Sequence, residues 1–414
     1  MTITHDSDVR VAEGFCEVRS LTEELARPLS PEDQTVQSMP DVSPTKWHRA
    51  HTTWFFEEFV LRSSSDRYTP FDPTYRYLFN SYYEAVGSRH QRAERGLLSR
   101  PGVDQIAAYR RTVDAAVVDL LSRPLDADAA ALVTLGQNHE QQHQELLLMD
   151  IKHVLWKNPL LPAYRAQRQS QRAAAPLGWI DHPGGLVDIG HSGDTFAFDN
   201  EVPRHQVHLR PFTLASRTVT CGDWLAFIDD GGYRRAELWL SDGWATVNES
   251  GWTAPLYWRQ ESDQWRLFTL GGERGVHPDE PVCHVSYYEA DAYARWSGAR
   301  LPTEAEWEHV VGADPPPCDR FDLDALHPEA TGPGLCASVG EVWEWTASPY
   351  TAYPGFRPAP GAVGEYNGKF MVNQHVLRGG SCVSPPGHLR PTYRNFFAPG
   401  SRWAFSGVRL ARDL

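Results

Sequence analysis

Glycine and tryptophan are distributed very unevenly along the 414 residues of the chain. Only 5 of the 32 glycines and 3 of the 15 tryptophans lie before residue 165, in a region rich in helix formers. The remainder has many short apolar runs between turn residues, which is typical of short strands and irregular structure. We therefore predict an α+β protein of two domains, with a helical domain over 1–165, a polar linker over 166–176 and a second domain over 177–414.

Four segments of the first domain carry helical periodicity. The clearest is 129–156, where apolar residues and two histidines recur at steps of three and four and so share one helix face. Pro159 and Pro162 follow it and predict its end. The other three helices are predicted over 105–121, over 47–62 and over roughly 10–27. Four helices in about 160 residues predict a four-helix bundle, whose core can hold a metal between facing helices.

Within the clearest helix, residues 139–143 read H-E-x-x-H, the motif of zinc metalloproteases. The extended protease pattern fails, because Leu146 stands in place of the glycine and Met149 in place of the third histidine. Two histidines on an apolar face are either satisfied core residues or metal ligands. Burying two imidazoles without partners is costly, so a metal that satisfies both is the preferred interpretation.

A third ligand is available upstream, in Trp47-His48-Arg49-Ala50-His51. The two histidines of this stretch are three residues apart, and one of them can face the same bundle interior. Three neutral imidazoles from two helices would fill one side of a metal and leave its other positions open for substrates.

Charge and cysteine content limit the environment and the partners. The net charge of −14 argues against nucleic acid or an anionic membrane as a partner. No apolar run approaches a membrane span, and the N-terminus lacks the basic and apolar regions of a signal peptide. The six cysteines are scattered and form no C-x-x-C pair, so we expect a cytoplasmic protein with reduced thiols.

Several motifs together resemble a known family. The first domain is similar to a DinB-type bundle, carrying Ser43–His51 and later His139-x-x-x-His143. The second resembles the formylglycine-generating-enzyme (sulfatase-modifying-factor) fold, which is C-type-lectin-like. The matching stretches are 285–296, 300–307 (RLPTEAEW), 340–345 (GEVWEW), 377–381 (LRGGS) and 406–410 (SGVRL). This pairing resembles the sulfoxide synthases of ergothioneine biosynthesis, the EgtB family.

The resemblance implies a non-haem Fe(II) centre held by His51, His139 and His143, with O2 as co-substrate. It implies that the sulfur of cysteine or γ-glutamylcysteine is joined to C2 of the imidazole of hercynine (Nα-trimethylhistidine), giving hercynylcysteine sulfoxide. Free cysteine is the preferred thiol. A related ovothiol- or selenoneine-type synthase and a non-catalytic metal- or thiol-binding protein are the alternatives. Glu140 then has no role as a protease base.

A polar loop over 79–95 is expected to face the metal. It resembles the family branch in which a tyrosine pair of the helical domain supplies the active-site phenol, and Tyr82 and Tyr83 match that pair. A phenol beside the metal can deliver a proton or hydrogen atom. Arg89 and Arg92 match the position where family members bind the carboxylate of the thiol substrate, which suits guanidinium groups.

The second domain is predicted to be a scaffold rather than a second enzyme. Formylglycine-generating enzymes bind copper with a cysteine pair, whereas the corresponding region 388–397 has no cysteine. We expect capping boxes at Thr303 with Glu306 and at Ser286 with Glu289. The expected contacts to hercynine, by carboxylate or imidazole recognition and by aromatic faces for its quaternary ammonium, are Asn373, Gln374, Trp403 and Phe405.

Overall fold

The computed structural model describes residues 4–168, 170, 172–313, 320–330 and 339–414. Two of the six cysteines, Cys318 and Cys336, lie outside this range. The chain forms two compact units. The first comprises Met1–Tyr164 together with Gly361–Glu365, and the second comprises Arg165–Pro360 together with Tyr366–Leu414.

The first unit is helical, and its long helices coincide with the four periodic segments of the sequence. Its helices are α1 (Thr4–Ala26), α2 (Thr45–Phe55), α3 (Arg62–Ser64), α4 (Tyr75–Leu78), α5 (Val103–Leu121) and α6 (Ala127–Lys157). A π-helical segment, Phe56–Leu61, joins α2 to α3, and a 3-10 turn spans Arg92–Leu97. The prediction of a helical first domain is confirmed, although periodicity did not indicate the π-helical end of the 47–62 segment.

Helix α6 is delimited by local chemistry at both ends. The carboxylate of Asp126 accepts the backbone N–H of Ala129 at 2.7 Å, a side-chain cap that satisfies one of the unpaired donors of the first turn. The helix ends at Lys157, two residues before Pro159, which has no N–H to continue it. Because α6 has 31 residues, it carries both histidines of the H-E-x-x-H motif well away from its ends.

An aromatic core holds α2 against α5 and α6. Trp54, Phe55 and Phe56 are each at most 1% exposed, and the ring of Phe56 meets that of Phe15 edge to face at 5.0 Å. Gly136 of α6 lies against this core, and a Cβ atom there would stand 2.6 Å from the Phe56 ring. The missing side chain therefore permits the close approach of α6 to the end of α2, one turn before His139.

The second unit is built from short strands and helices. Its strands are β1 (Trp179–His182), β2 (Gly185–Ile189), β3 (His205–Leu209), β4 (Phe212–Ala215), β5 (Trp258–Glu261), β6 (Gln264–Thr269), β7 (Gly272–Gly275), β8 (Trp343–Pro349), β9 (His375–Arg378), β10 (Asn395–Phe397), β11 (Ser406–Gly407) and β12 (Ala411–Asp413). Its helices are α7 (Cys221–Asp229), α8 (Ser241–Ser250), α9 (Tyr287–Trp296) and α10 (Glu304–Ala313). A further short helix, α11 (Glu365–Gly368), begins at the last residue assigned to the first unit.

These strands form small sheets. Their orders are β1-β4-β12, β10-β9-β8-β11, β2-β3 and β5-β6-β7. All neighbouring strands are antiparallel except β11 and β8, which are parallel. The prediction of short strands with much irregular structure is confirmed.

Buried ion pairs connect the sequence motifs of the second unit. Arg409, from the SGVRL stretch, donates to both oxygens of Glu344 in the GEVWEW stretch at 2.8 and 2.9 Å, and both residues are fully buried. Arg378, from the LRGGS stretch, pairs with Glu304 and Glu308 of α10 at 3.1 and 2.7 Å. A charge removed from water needs such a partner, so these motif residues are structural.

Both expected capping boxes are present. The hydroxyl of Ser286 accepts the N–H of Glu289 at 3.1 Å, while the Glu289 carboxylate accepts the N–H of Ser286 at 2.8 Å. Thr303 and Glu306 make the same reciprocal pair at 3.2 and 2.8 Å. The side chains that begin α9 and α10 were therefore correctly predicted from the sequence.

Among the described residues, none of the helices combines the length and apolar character that a membrane crossing needs.

Gly136 and Gly14 provide a matched test of close helix packing. We expect Gly136→Ala to lower the free energy of unfolding by about 1–3 kcal/mol, because overpacking against Phe56 outweighs the better helix propensity of alanine. Gly14→Ala should raise it by up to about 1 kcal/mol, since a Cβ there meets Gln137 at an ordinary 3.4 Å. Urea denaturation of both variants measures the difference. Equal stabilities would contradict the close-packing role of Gly136.

Candidate metal centre

Three histidines converge inside the first unit. His51 lies on α2, and His139 and His143 lie one turn apart on α6. One ring nitrogen from each can be chosen so that all three lie within 4.8 Å of one another. The Nε2 atoms of His51 and His139 are 3.2 Å apart. The structure therefore brings together the three residues that the sequence resemblance proposed as ligands.

The tautomer of His51 is fixed by the backbone. Its Nδ1 lies 2.6 Å from the carbonyl oxygen of Phe79, which can only accept a hydrogen bond. Nδ1 therefore carries the proton, and Nε2 presents a lone pair towards the other histidines. A metal-bound histidine usually has its second nitrogen held in this way.

Burial keeps the three imidazoles uncharged. It lowers the pKa of His51 and of His143 well below the usual range, and their proximity to His139 lowers both further. Burial also lowers the pKa of His139 to about 4. All three rings are therefore neutral at pH 7, which is the protonation state that a metal ligand requires.

The residues present fit a metal ion. Two nitrogen ligands at right angles around an ion, each about 2.1 Å from it, stand about 3.0 Å apart, close to the observed 3.2 Å. A cation would bind lone pairs that otherwise face one another in a buried site. A set of three neutral imidazoles suits zinc or iron, so these side chains could hold a metal ion but do not select which metal.

A buried arginine lies beside the histidines. The guanidinium of Arg95 sits 3.3 Å from the centre of the Trp47 ring, and Trp47 stacks on His51 at 4.7 Å and 11°. Arg95 is 3% exposed and donates to the hydroxyl of Ser43 at 2.9 Å. Burial lowers its pKa to about 9, so it remains positive at pH 7. Arg95 was not predicted as a site residue, although Arg95 continues the three-residue spacing of Arg89 and Arg92.

The tyrosine pair is divided between two environments. Tyr83 is 3% exposed, and its ring lies 5.1 Å from that of Phe59 and 5.7 Å from that of Trp54. Tyr82 is only half-buried, and its hydroxyl accepts a hydrogen bond from Arg92 at 3.0 Å. Arg89 pairs with Glu84 on the same loop. Tyr82 and Arg92 thus form one polar group, while Tyr83 packs in the core.

The loop that carries the tyrosines is fastened from two sides. The side chain of Asn80 donates to the carbonyl of Tyr83 at 3.0 Å and accepts its N–H at 3.1 Å. The carboxylate of Glu365 accepts the backbone N–H groups of Glu84 and Ala85 at 3.0 and 2.9 Å. Glu365 was not predicted from the sequence, because 280 residues separate Glu365 from Ala85 in the loop that it caps.

Glu140, the acid of the H-E-x-x-H motif, is fully buried in an ion network. One oxygen accepts from Arg19 at 2.7 Å, and the other accepts from Thr22 at 2.6 Å and from Arg110 at 3.0 Å. Burial acts to raise the pKa of Glu140, but the two guanidiniums outweigh it and lower that pKa. Because both oxygens hold structural partners, Glu140 is not arranged as the general base of a peptidase.

The four proposed hercynine contacts lie in the second unit. Asn373 is exposed and has a left-handed backbone with φ of 53°, and Gln374 is half-buried. Trp403 is 8% exposed, with its ring 5.5 Å from Phe397. Phe405 is fully buried, and its ring lies 4.6 Å from that of His284. Their roles in binding stay predictions.

Two family models match the chain. The DinB superfamily matches residues 15–155, and the sulfatase-modifying factor enzyme 1-like domain matches residues 166–314 and 324–414. The chain is therefore of the class that joins a DinB-type bundle to a domain of the formylglycine-generating-enzyme type.

The relatives identify the family within this class. The chain is 35% identical to hercynine oxygenase of Mycolicibacterium thermoresistibile, over 91% of this chain and 88% of the relative. It is 34% identical to that of Mycobacterium tuberculosis, over 91% and 92% respectively. It is also 29% identical to formylglycine-generating enzyme of Streptomyces coelicolor, over 61% of this chain and 95% of the relative. The chain belongs to the hercynine oxygenase family, which confirms the resemblance found in its motifs.

Substitution of Glu140 tests its structural role. We expect Glu140→Gln to lower the free energy of unfolding by about 3–5 kcal/mol, because it leaves Arg19 and Arg110 buried with too little negative charge. Glu24→Gln is the control, since the exposed Glu24–Arg27 pair should contribute at most about 1 kcal/mol. Denaturant unfolding of both variants provides the measurement. A Glu140→Gln variant as stable as the wild type would refute the network.

The depressed pKa of His139 predicts a pH-dependent stability of the metal-free protein. Its pKa is 6.5 in the unfolded chain and about 4 when folded, so between these values the unfolded chain binds the extra proton. Lowering the pH from 7 to 5 should therefore cost about 2 kcal/mol of unfolding free energy from this group alone. Urea unfolding of the chelated protein at both pH values measures the loss. His139→Phe should lose correspondingly less, and an unchanged pH dependence would contradict the assignment.

Proposed function

We propose that the protein is an iron(II)- and O2-dependent sulfoxide synthase that joins the sulfur of a thiol to C2 of the imidazole of hercynine in ergothioneine biosynthesis. The observation that carries the proposal is the cluster of three uncharged imidazoles in a chain of the hercynine oxygenase family. The thiol is cysteine, with γ-glutamylcysteine as the alternative. The scattered cysteines favour a cytoplasmic location.

The overall reaction defines what the site must accomplish. A C–H bond of hercynine and the S–H bond of the thiol break, a C–S and an S=O bond form, and the second oxygen atom leaves as water. Iron(II) bound by His51, His139 and His143 would leave positions for the thiolate, the imidazole and O2 and supply the redox chemistry that zinc lacks.

The charges of the first unit favour an anionic thiol. The three ligands carry no charge, so a bound divalent ion keeps its full positive charge. Arg95 adds a buried guanidinium beside Trp47 and His51. A positive environment lowers the pKa of a thiol and so increases its thiolate fraction. Arg89 and Arg92 are proposed to hold the carboxylate of the same substrate.

Tyr82 is the better placed of the two tyrosines for proton transfer. It is half-buried, and the guanidinium of Arg92 donates to its hydroxyl oxygen at 3.0 Å, so its phenol belongs to a polar group rather than to the aromatic core. Tyr83 is packed among aromatic rings and is proposed to shape the site. In the second unit, Asn373 and Gln374 are proposed to contact the polar parts of hercynine, and Trp403 and Phe405 its quaternary ammonium.

Reconstitution tests the proposal. The protein is loaded anaerobically with Fe(II), given hercynine with either cysteine or γ-glutamylcysteine, and exposed to 18O2. We expect a product with the mass of both substrates plus one labelled oxygen minus two hydrogens, detected by mass spectrometry. Deuterium at C2 of hercynine should be lost to solvent.

Histidine variants link the product to the metal centre. His51→Ala and His143→Ala should abolish product formation, because each removes a ligand. His153→Phe is the matched control, since His153 is also a buried histidine of α6 but hydrogen-bonds the hydroxyl of Ser38 instead of facing the cluster. Absence of coupled product with both thiols, despite stoichiometric iron in the wild type, would overturn the assigned substrates.

A further inference from the structure

A fourth histidine, which is buried, lies next to the cluster. His48 of α2 is 3% exposed, and its Nδ1 lies 2.8 Å from Nδ1 of His143. Its other nitrogen, Nε2, lies 3.0 Å from Oδ2 of Asp150, which is also 3% exposed. Asp150 follows His143 by seven residues, two helical turns, so both lie on the same face of α6. The three side chains form a row that ends at a proposed metal ligand.

The position of Asp150 is fixed by the backbone. Its Oδ2 also accepts the N–H of Ser43 at 2.7 Å, immediately before α2 begins. The hydroxyl of Ser43 accepts from Arg95 at 2.9 Å, so the same residue is held from a second direction. The carboxylate of Asp150, to which His48 is hydrogen-bonded, is therefore held in place by the backbone N–H of Ser43.

The positions of the hydrogens on His48 and His143 follow from the hydrogen bond between His48 and Asp150. An ionised carboxylate can only accept, so Nε2 of His48 must carry a hydrogen. The two Nδ1 atoms are 2.8 Å apart and share one hydrogen bond; with the hydrogen of His48 on Nε2, its Nδ1 offers the lone pair that accepts from Nδ1 of His143. This assignment leaves Nε2 of His143 as the lone-pair nitrogen, which is the state a metal ligand needs.

We infer that His48 and Asp150 are positioning residues that set the tautomer and the ring orientation of His143 for metal binding. The inference rests on the proposed metal centre and extends it. The tautomer of His51 is set in the same way by a hydrogen bond to the carbonyl oxygen of Phe79. That acceptor belongs to the main chain, so a side-chain substitution does not remove it. His143 depends on two side chains instead, so its preparation for the metal can be tested by mutation.

The test uses Co(II) as a probe of the whole, chelator-stripped protein. His48→Phe fills the space but offers no acceptor to His143. We expect its dissociation constant for Co(II), measured by competition with a chromophoric chelator, to rise 10- to 100-fold, with altered visible absorption bands of the bound ion. His153→Phe removes an equally buried histidine of α6 that contacts Ser38, and it should leave both readouts as in the wild type.

Two variants of Asp150 separate the hydrogen-bond role from packing. In Asp150→Asn the amide oxygen still accepts from His48 and Ser43, so the affinity for Co(II) should stay within about threefold of the wild type. Asp150→Leu has similar size but no acceptor, and it should weaken Co(II) binding as His48→Phe does. Circular dichroism and thermal unfolding establish that each variant is folded.

The outcomes distinguish the inference from the metal centre itself. Folded His48→Phe and Asp150→Leu variants that bind Co(II) with wild-type affinity and spectrum would overturn the positioning role while leaving the centre in place. If wild-type protein bound no Co(II), or bound it equally after His51→Ala, the metal centre and the positioning role would both be overturned. Weakened binding in the two variants, with Asp150→Asn and His153→Phe near wild type, supports the inference.

Discussion

The carboxylate of Glu140 holds the helices of the first unit in one arrangement. It is fully buried on α6 and is neutralised by Arg19 from α1 and Arg110 from α5. Arg110 also donates to the backbone carbonyl of Arg49 on α2 at 3.1 Å, so the network reaches all four long helices. Since Glu140 is the neighbour of His139 in the chain, the alignment it imposes on α2 and α6 is also the alignment of the three histidines. The positions of the three histidines therefore depend on the ion network of Glu140.

Charged and uncharged groups are sharply separated within this core. The network around Glu140 consists of ions that satisfy one another, whereas the adjacent histidines are kept neutral by burial. The two groups differ in how the cost of burying them is offset. Ion pairing offsets the cost of removing Glu140, Arg19 and Arg110 from water, whereas the neutral imidazoles offer lone pairs that a cation could bind. A metal bound here would therefore stabilise the folded chain as well as serve its chemistry.

Periodicity and local motifs predicted much of this structure, because they reflect contacts between near neighbours. The long helices, the helix end before Pro159 and both capping boxes are of this kind. Spacing could not decide between His48 and His51, and the reason is physical: both are buried, one in the cluster and one behind it. The H-E-x-x-H pattern is shared with zinc peptidases, and the pattern alone could not show that Glu140 is held in ion pairs, since Arg19 and Arg110 lie 121 and 30 residues away.

The late position of Glu365 in the sequence affects when the tyrosine loop of the first unit can fold during synthesis. The segment Gly361–Glu365 belongs to the first unit, although it lies far beyond the helices in sequence. Its carboxylate caps the turn that follows Tyr82 and Tyr83. During synthesis the helices of the first unit emerge from the ribosome long before Glu365 is added to the chain. The turn after the tyrosines therefore has no cap at that stage. The tyrosine loop can reach its final form only late in synthesis, and a chain cut at the linker would yield a helical fragment without this cap.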